Sequence, residues 1–212
     1  MTLAKPDIDS ALSQIFSTPL VLYDWPGTAE MNAGLTSAIE ALMAGSGGVT
    51  KSNVGGWHSA LDFLYQSDVP AIAVLNGAIQ QIFTALIPHV LTQPPSGKLG
   101  IAVEGWANCL KAGEYNSLHA HPNAAWSGVY FITGIPSGGD ANGFGGKLEF
   151  VDPRPGASIM HTDSSALSGR CLVTPQPGRM ALFPGWLQHF VHPFSAPGQR
   201  MSVAFNIFLR ES

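Results

Sequence analysis

At 212 residues the chain is long enough for one domain with a sizeable core. With 45 % hydrophobic and only 11 % charged residues it has the composition of a folded chain, not a disordered one. A net charge of −4 without any basic run argues against a general nucleic-acid binder, and Cys109 and Cys171, outside any CxxC pair, exclude a disulfide scaffold. The opening "MTLAKPDIDSALSQ" lacks the apolar core of a secretory signal. No uninterrupted apolar run reaches the roughly 18 residues of a membrane span, so a soluble cytoplasmic protein is expected.

In chain order, "IFSTPLVLYDW" (15–25) reads as an edge strand, because Pro19 interrupts a β-prone run. The stretch 27–45 reads as a helix with Thr28 as its cap and Leu35, Ile39 and Leu42 as its apolar stripe, ended by Gly45, Gly47 and Gly48. A second helix is predicted over 69–90, where Ile72, Leu75, Ile79 and Ile82 recur at spacings of three and four. Pro70 suits its first turn and Pro88 its end.

From residue 98 the texture changes to six β-prone runs between Gly/Pro turns: "LGIAVEGWANCL", "WSGVYFITGI", "GKLEFVD", "CLVTP", "GRMALFP" and "RMSVAFNIFL". The expectation is a single domain over 1–212, mainly β with N-terminal helices. Residues 1–97 form a largely helical layer outside an antiparallel sandwich or small barrel made by 98–208. The glycine-rich stretch 133–146 lacks a phosphate-loop pattern and reads as a flexible hairpin connection. No coiled-coil repeat reports an oligomeric state.

"YNSLHAHPN" (115–123) places His119 and His121 at i and i+2, on one face of an extended segment. At a surface that spacing is incidental; in a pocket it offers two nitrogen ligands, and His189 in "GRMALFPGWLQHFVHP" is the favoured third. His192 competes for that place, although Pro193 marks a strand end. His161 is expected to be exposed and His58 to be a core histidine, with a pocket role as the minority alternative. Trp106, Trp126 and Trp186 are read as core or pocket walls, and Trp106, Asn108 and Tyr130 as pocket candidates.

Alternation in "RMSVAFNIF" puts Arg200, Ser202, Ala204 and Asn206 on one strand face and Met201, Val203, Phe205 and Ile207 on the other. An arginine entering an apolar strand is costly unless an anion accompanies it, and Ser202 adds a donor on the same face. A surface arginine at a sheet edge is the bland alternative.

Together "WANCLKAGEYNSLHAHPNAAWSGVYF", "GGKLEFVDPR", "PGRMALFPGWLQHFVHP" and "GQRMSVAFNI", with "GGWHS" upstream, resemble a bacterial family of 2-oxoglutarate- and Fe(II)-dependent oxygenases of unassigned substrate. The resemblance implies a double-stranded β-helix, with Fe(II) on His119, His121 and His189. It also implies 2-oxoglutarate received by Arg200 and Ser202, Asn108 nearby, and molecular oxygen as the second reactant. The family pattern has a carboxylate where this chain has His121, so the centre is one unit more positive. The same residues also resemble a cupin: "GEYNSLHAH" matches that fold's metal-site opening, but no glutamate follows at the cupin spacing. A three-histidine cupin-like dioxygenase, a metal-dependent isomerase or hydrolase, and a non-enzymatic binding module therefore stay open.

Overall fold

A computed structural model of the protein describes residues 16–66, 68–91, 97, 99–138, 143–157 and 168–211. His161 and the N-terminal stretch through residue 15 lie outside them. The elements run β1 (Val21–Asp24), α1 (Ala29–Gly45), β2 (Asn53–Val54), β3 (Trp57–His58), α2 (Pro70–Val90), β4 (Leu99–Lys111) and β5 (Tyr115–His119). There follow β6 (Trp126–Phe131), β7 (Leu148–Val151), β8 (Arg170–Val173), β9 (Arg179–Pro184), β10 (His189–Val191) and β11 (Gln199–Glu211).

The strands form two antiparallel sheets, a six-stranded one in the order β1-β9-β6-β11-β4-β3 and a five-stranded one in the order β2-β5-β10-β7-β8. That is the predicted mainly β architecture with N-terminal helices, a double-stranded β-helix. The segment before residue 98 supplies strands as well as helices, since β1 and β3 extend one sheet and β2 the other.

Two apolar layers hold this arrangement, and the alternation of β11 feeds both. Met201, Val203, Phe205 and Ile207 pack outward with Leu35 and Ile39 of α1 and Ile72, Leu75, Ile79 and Phe83 of α2. Between the sheets lie Val129, Phe131, Leu148, Phe150, Val191 and Phe183. By length and composition α2 could cross a membrane. In this structure its stripe of Ile72, Leu75, Ile79, Ile82, Phe83 and Leu86 is buried against the sheet.

Three local expectations are corrected. Thr28 precedes α1 but caps no backbone N–H; its hydroxyl instead accepts from Asn32 Nδ2 at 3.3 Å. The glycine-rich stretch does not join hairpin neighbours, because β6 and β7 belong to different sheets. The chain crosses from one layer to the other there; residues 139–142 are not among those described. The predicted runs also omitted β5 and β10, the two strands that carry His119 and His189.

Candidate metal centre

Pairing of β5 with β10 sets His119 directly opposite His189. His121 follows two residues after β5 begins to leave the sheet, and its N–H donates to Gly185 O at 2.8 Å. Gly185 is a glycine of necessity, since a Cβ would run into the Ala124 carbonyl of the same loop. The three imidazoles converge so that their ligand nitrogens all lie within 4.8 Å of one another.

His119 Nδ1 donates to Ser117 O at 2.7 Å and His189 Nδ1 to Leu187 O at 2.9 Å, which leaves each Nε2 as the lone-pair nitrogen. His121 Nε2 is 3.3 Å from His189 Nε2. Two nitrogens bound cis to one metal at ~2.1 Å stand about 3.0 Å apart, or ~3.4 Å in a tetrahedron. The observed separation suits a shared ion. Burial drives all three rings toward the neutral, ligating form: His189 is pushed down to about 3 and His121 to about 4, each helped by the neighbouring imidazoles, and His119 moves the same way.

A consequence follows for acid stability. In the unfolded chain these histidines take protons near pH 6.5, whereas the metal-free folded site resists them. Below that pH the unfolded state therefore binds more protons, and stability present above pH 6.5 drains away as pH falls toward 4. The urea midpoint of metal-free protein should drop markedly between pH 7.5 and pH 5; an unchanged midpoint would show that the rings are not held neutral by burial.

Along the inner face of the six-stranded sheet, Arg200 pairs across with Leu110, Ser202 with Asn108, and Ala204 with Trp106. Arg200, Ser202, Asn108 and Trp106 thereby line the same cavity as the three histidines, together with Phe183 and Val129. Arg200 is 1 % exposed, and burial lowers its pKa only to about 10, so it is charged at neutral pH. Its guanidinium lies 5.1 Å from the Phe131 ring, and no carboxylate answers it among the described residues. Its Nε and Asn108 Oδ1 are buried polar atoms without a partner among the described residues. Such a pair of orphans is costly in a closed core and fits a cavity that receives a polar ligand.

The remaining candidates are distributed differently. Tyr130 is not a pocket residue: it faces the helices and donates to Asn32 Oδ1 at 2.6 Å, while its neighbour Val129 faces the cavity. His192 is outside the cluster, bonded to Glu149 Oε2 at 2.7 Å. His58 is buried and stacks on Trp106 at 5.5 Å between centroids, and Trp106 in turn packs against His121. Trp126 is core, whereas Trp186 is 55 % exposed and walls a separate apolar cleft with Phe83, Ile87 and Leu209.

Ser52 and Asn116 also line the cavity and were not anticipated, because no motif marks them. On the other side of Trp106, Ser127 donates to Asn206 Oδ1 at 2.8 Å and Asn206 Nδ2 to Glu104 Oε1 at 3.0 Å. That polar row continues the inner face away from Arg200.

A family described as "Putative 2OG-Fe(II) oxygenase" matches residues 104–206, the span from Glu104 through the polar row's Asn206. That span is just under half of the chain. No curated protein matches it. Among solved structures it is similar to a Pseudomonas putida prolyl-4-hydroxylase, with a TM-score of 0.64 and 16 % identity over 92 % of this chain and 94 % of that one. It is also similar to a Trichoplax adhaerens prolyl hydroxylase solved with a hypoxia inducible factor peptide fragment, with a TM-score of 0.60 and 14 % identity over 89 % and 83 % of the two chains. HygX from Streptomyces hygroscopicus, solved with nickel and 2-oxoglutarate bound, gives 0.59 and 16 % over 90 % and 83 %. At these identities the likeness establishes the shared fold.

Proposed function

We propose that the protein is a non-haem Fe(II)- and 2-oxoglutarate-dependent oxygenase that hydroxylates a small-molecule or peptidyl substrate. The supporting observation is the buried, unpaired Arg200 facing the cavity into which His119, His121 and His189 converge. Neutral imidazoles at three positions hold a divalent ion and leave further positions for other ligands. The fixed fork of Arg200 and the Ser202 hydroxyl receive a carboxylate at the deep end, with Asn108 beside them. When bound, iron and 2-oxoglutarate supply the oxidising chemistry, consuming molecular oxygen and releasing succinate and carbon dioxide.

The chain's own part is positional. Ser117 and Leu187 carbonyls fix two imidazole tautomers, and Trp106 buttresses His121. Phe183, Val129 and Val191 make the surrounding wall apolar and limit water. The relatives in the comparison that act on prolyl residues or carry 2-oxoglutarate support the reaction class. Anaerobic titration of Fe(II)-loaded protein with 2-oxoglutarate should show saturable binding, followed by succinate on admitting oxygen. A correctly metallated protein that binds none would refute the proposal. His121 favours a second reading, a three-histidine cupin-like dioxygenase or isomerase independent of 2-oxoglutarate, because the usual carboxylate ligand is missing.

A further inference from the structure

Ser52 lies just ahead of β2, and its hydroxyl oxygen is 3.4 Å from His119 Nε2. Asn116 Nδ2 donates to that oxygen at 3.3 Å. The backbone is held too, since Ser52 O accepts from Ser117 N at 2.8 Å and from the Ser117 hydroxyl at 3.1 Å. Pairing of Asn53 with Asn116 ties the same loop to β5. Ser52 is thus fixed alongside one of the converging imidazoles, within the cavity that holds Arg200.

Which group carries the hydrogen decides what Ser52 can do. His119 Nδ1–H is committed to Ser117 O, so Nε2 offers a lone pair and the Ser52 O–H is the donor toward it. A metal on Nε2 takes that lone pair. The hydroxyl must then turn to another acceptor, while Asn116 goes on occupying one of its lone pairs. Among the described residues, no Asp or Glu lines the cavity. An anionic ligand atom on the metal is the strongest acceptor left, and a hydrogen bond to an anion is stronger than one to a neutral group.

We propose that Ser52 donates to the anionic ligand of the bound metal, passing from His119 to that ligand as the metal enters. The inference rests on the metal-binding role of the three histidines given above, and its ligand class is a small anion: a carboxylate oxygen or an azide nitrogen. Three neutral imidazoles contribute no charge, so at the metal this donor adds to the ion's own charge, beside the Arg200 cation of the same cavity.

The test uses Co(II)-loaded wild type, Ser52→Ala, Ser52→Gly and Ser52→Thr, with cobalt affinity measured by chelator competition. Azide and 2-oxoglutarate are then titrated separately, read by the cobalt visible absorption. Cobalt affinity should stay within about two-fold of wild type in all folded variants. Azide should bind about ten-fold more weakly to the Ala and Gly variants, the effect of one hydrogen bond to a charged group. The Thr variant, which keeps the hydroxyl, should remain near wild type. Equal azide affinity with and without the hydroxyl overturns the proposal. So does a collapse of cobalt affinity in the Ala and Gly variants, which would make Ser52 a ligand or a structural support. Wild type that binds azide but no 2-oxoglutarate refutes the oxygenase reading and leaves the role of Ser52 standing; wild type that binds no cobalt overturns both.

Discussion

Arg200→Met should lose 2-oxoglutarate binding by roughly thirty-fold or more, while the protein's metal affinity stays near wild type. A charged side chain that is 1 % exposed and answered by no carboxylate among the described residues is poor core design on its own. Methionine keeps much of the aliphatic bulk beside Phe131 but removes the forked charge, so the cost falls on the anion and spares the imidazoles. A bidentate charged contact is worth about 2–5 kcal/mol, which sets the scale. The same substitution carries a second signature. Without ligand, removing an uncompensated buried charge should leave the protein at least as stable as wild type, since replacing buried ions by apolar groups is often neutral or stabilising. Anaerobic titrations with metal and with 2-oxoglutarate, beside thermal melts of the ligand-free proteins, separate the effects. Equal cosubstrate affinity in the two proteins would remove Arg200 from the site and move the reading toward the cupin-like alternative.

Much of this was legible because two periodicities are strong. The stripe Ile72, Leu75, Ile79 and Ile82 marks α2 within one residue, and the alternation of β11 sends Met201, Val203, Phe205 and Ile207 to the helices and Arg200, Ser202, Ala204 and Asn206 inward. What escaped was set by contacts distant in sequence. β5 and β10 are short, carry Asn116, Ser117, His119 and His189, and owe their extended form to pairing with each other and with β2 and β7. Ser52 reaches His119 only because β2 lies against β5, which no local pattern reports. Tyr130 illustrates parity: β6 is buried on both faces, so composition does not reveal which residue faces the cavity, and a shift of one exchanges Tyr130 for Val129. Thr28 does not cap because its backbone, at φ −85° and ψ 2°, lacks the extended form that aims a side-chain oxygen at the first-turn N–H groups.

His189→Ala should weaken divalent-metal affinity by more than about a hundred-fold, because even groups that only support a ligand cost ten- to a hundred-fold when removed. His189 Nδ1 is spent on Leu187 O, so within the 3.3 Å contact His121 must supply the hydrogen on its Nε2. For both Nε2 atoms to serve as ligands, His121 would carry its hydrogen on Nδ1 instead. Binding confined to the folded state raises stability, by about 2.7 kcal/mol at a hundred-fold excess over Kd, which for a chain of this size is about 5–10 °C in Tm. The wild-type melt should show that shift with Fe(II) or Zn(II), and His189→Ala, His121→Ala and His119→Ala should lose it while retaining the far-ultraviolet dichroism of the folded sheets. His192→Ala is the internal control, since His192 is bonded to Glu149 outside the cluster and its loss should leave the metal-induced shift intact. A shift that persists without His189 but disappears without His192 would place the third ligand on the other end of β10 and overturn the centre as drawn.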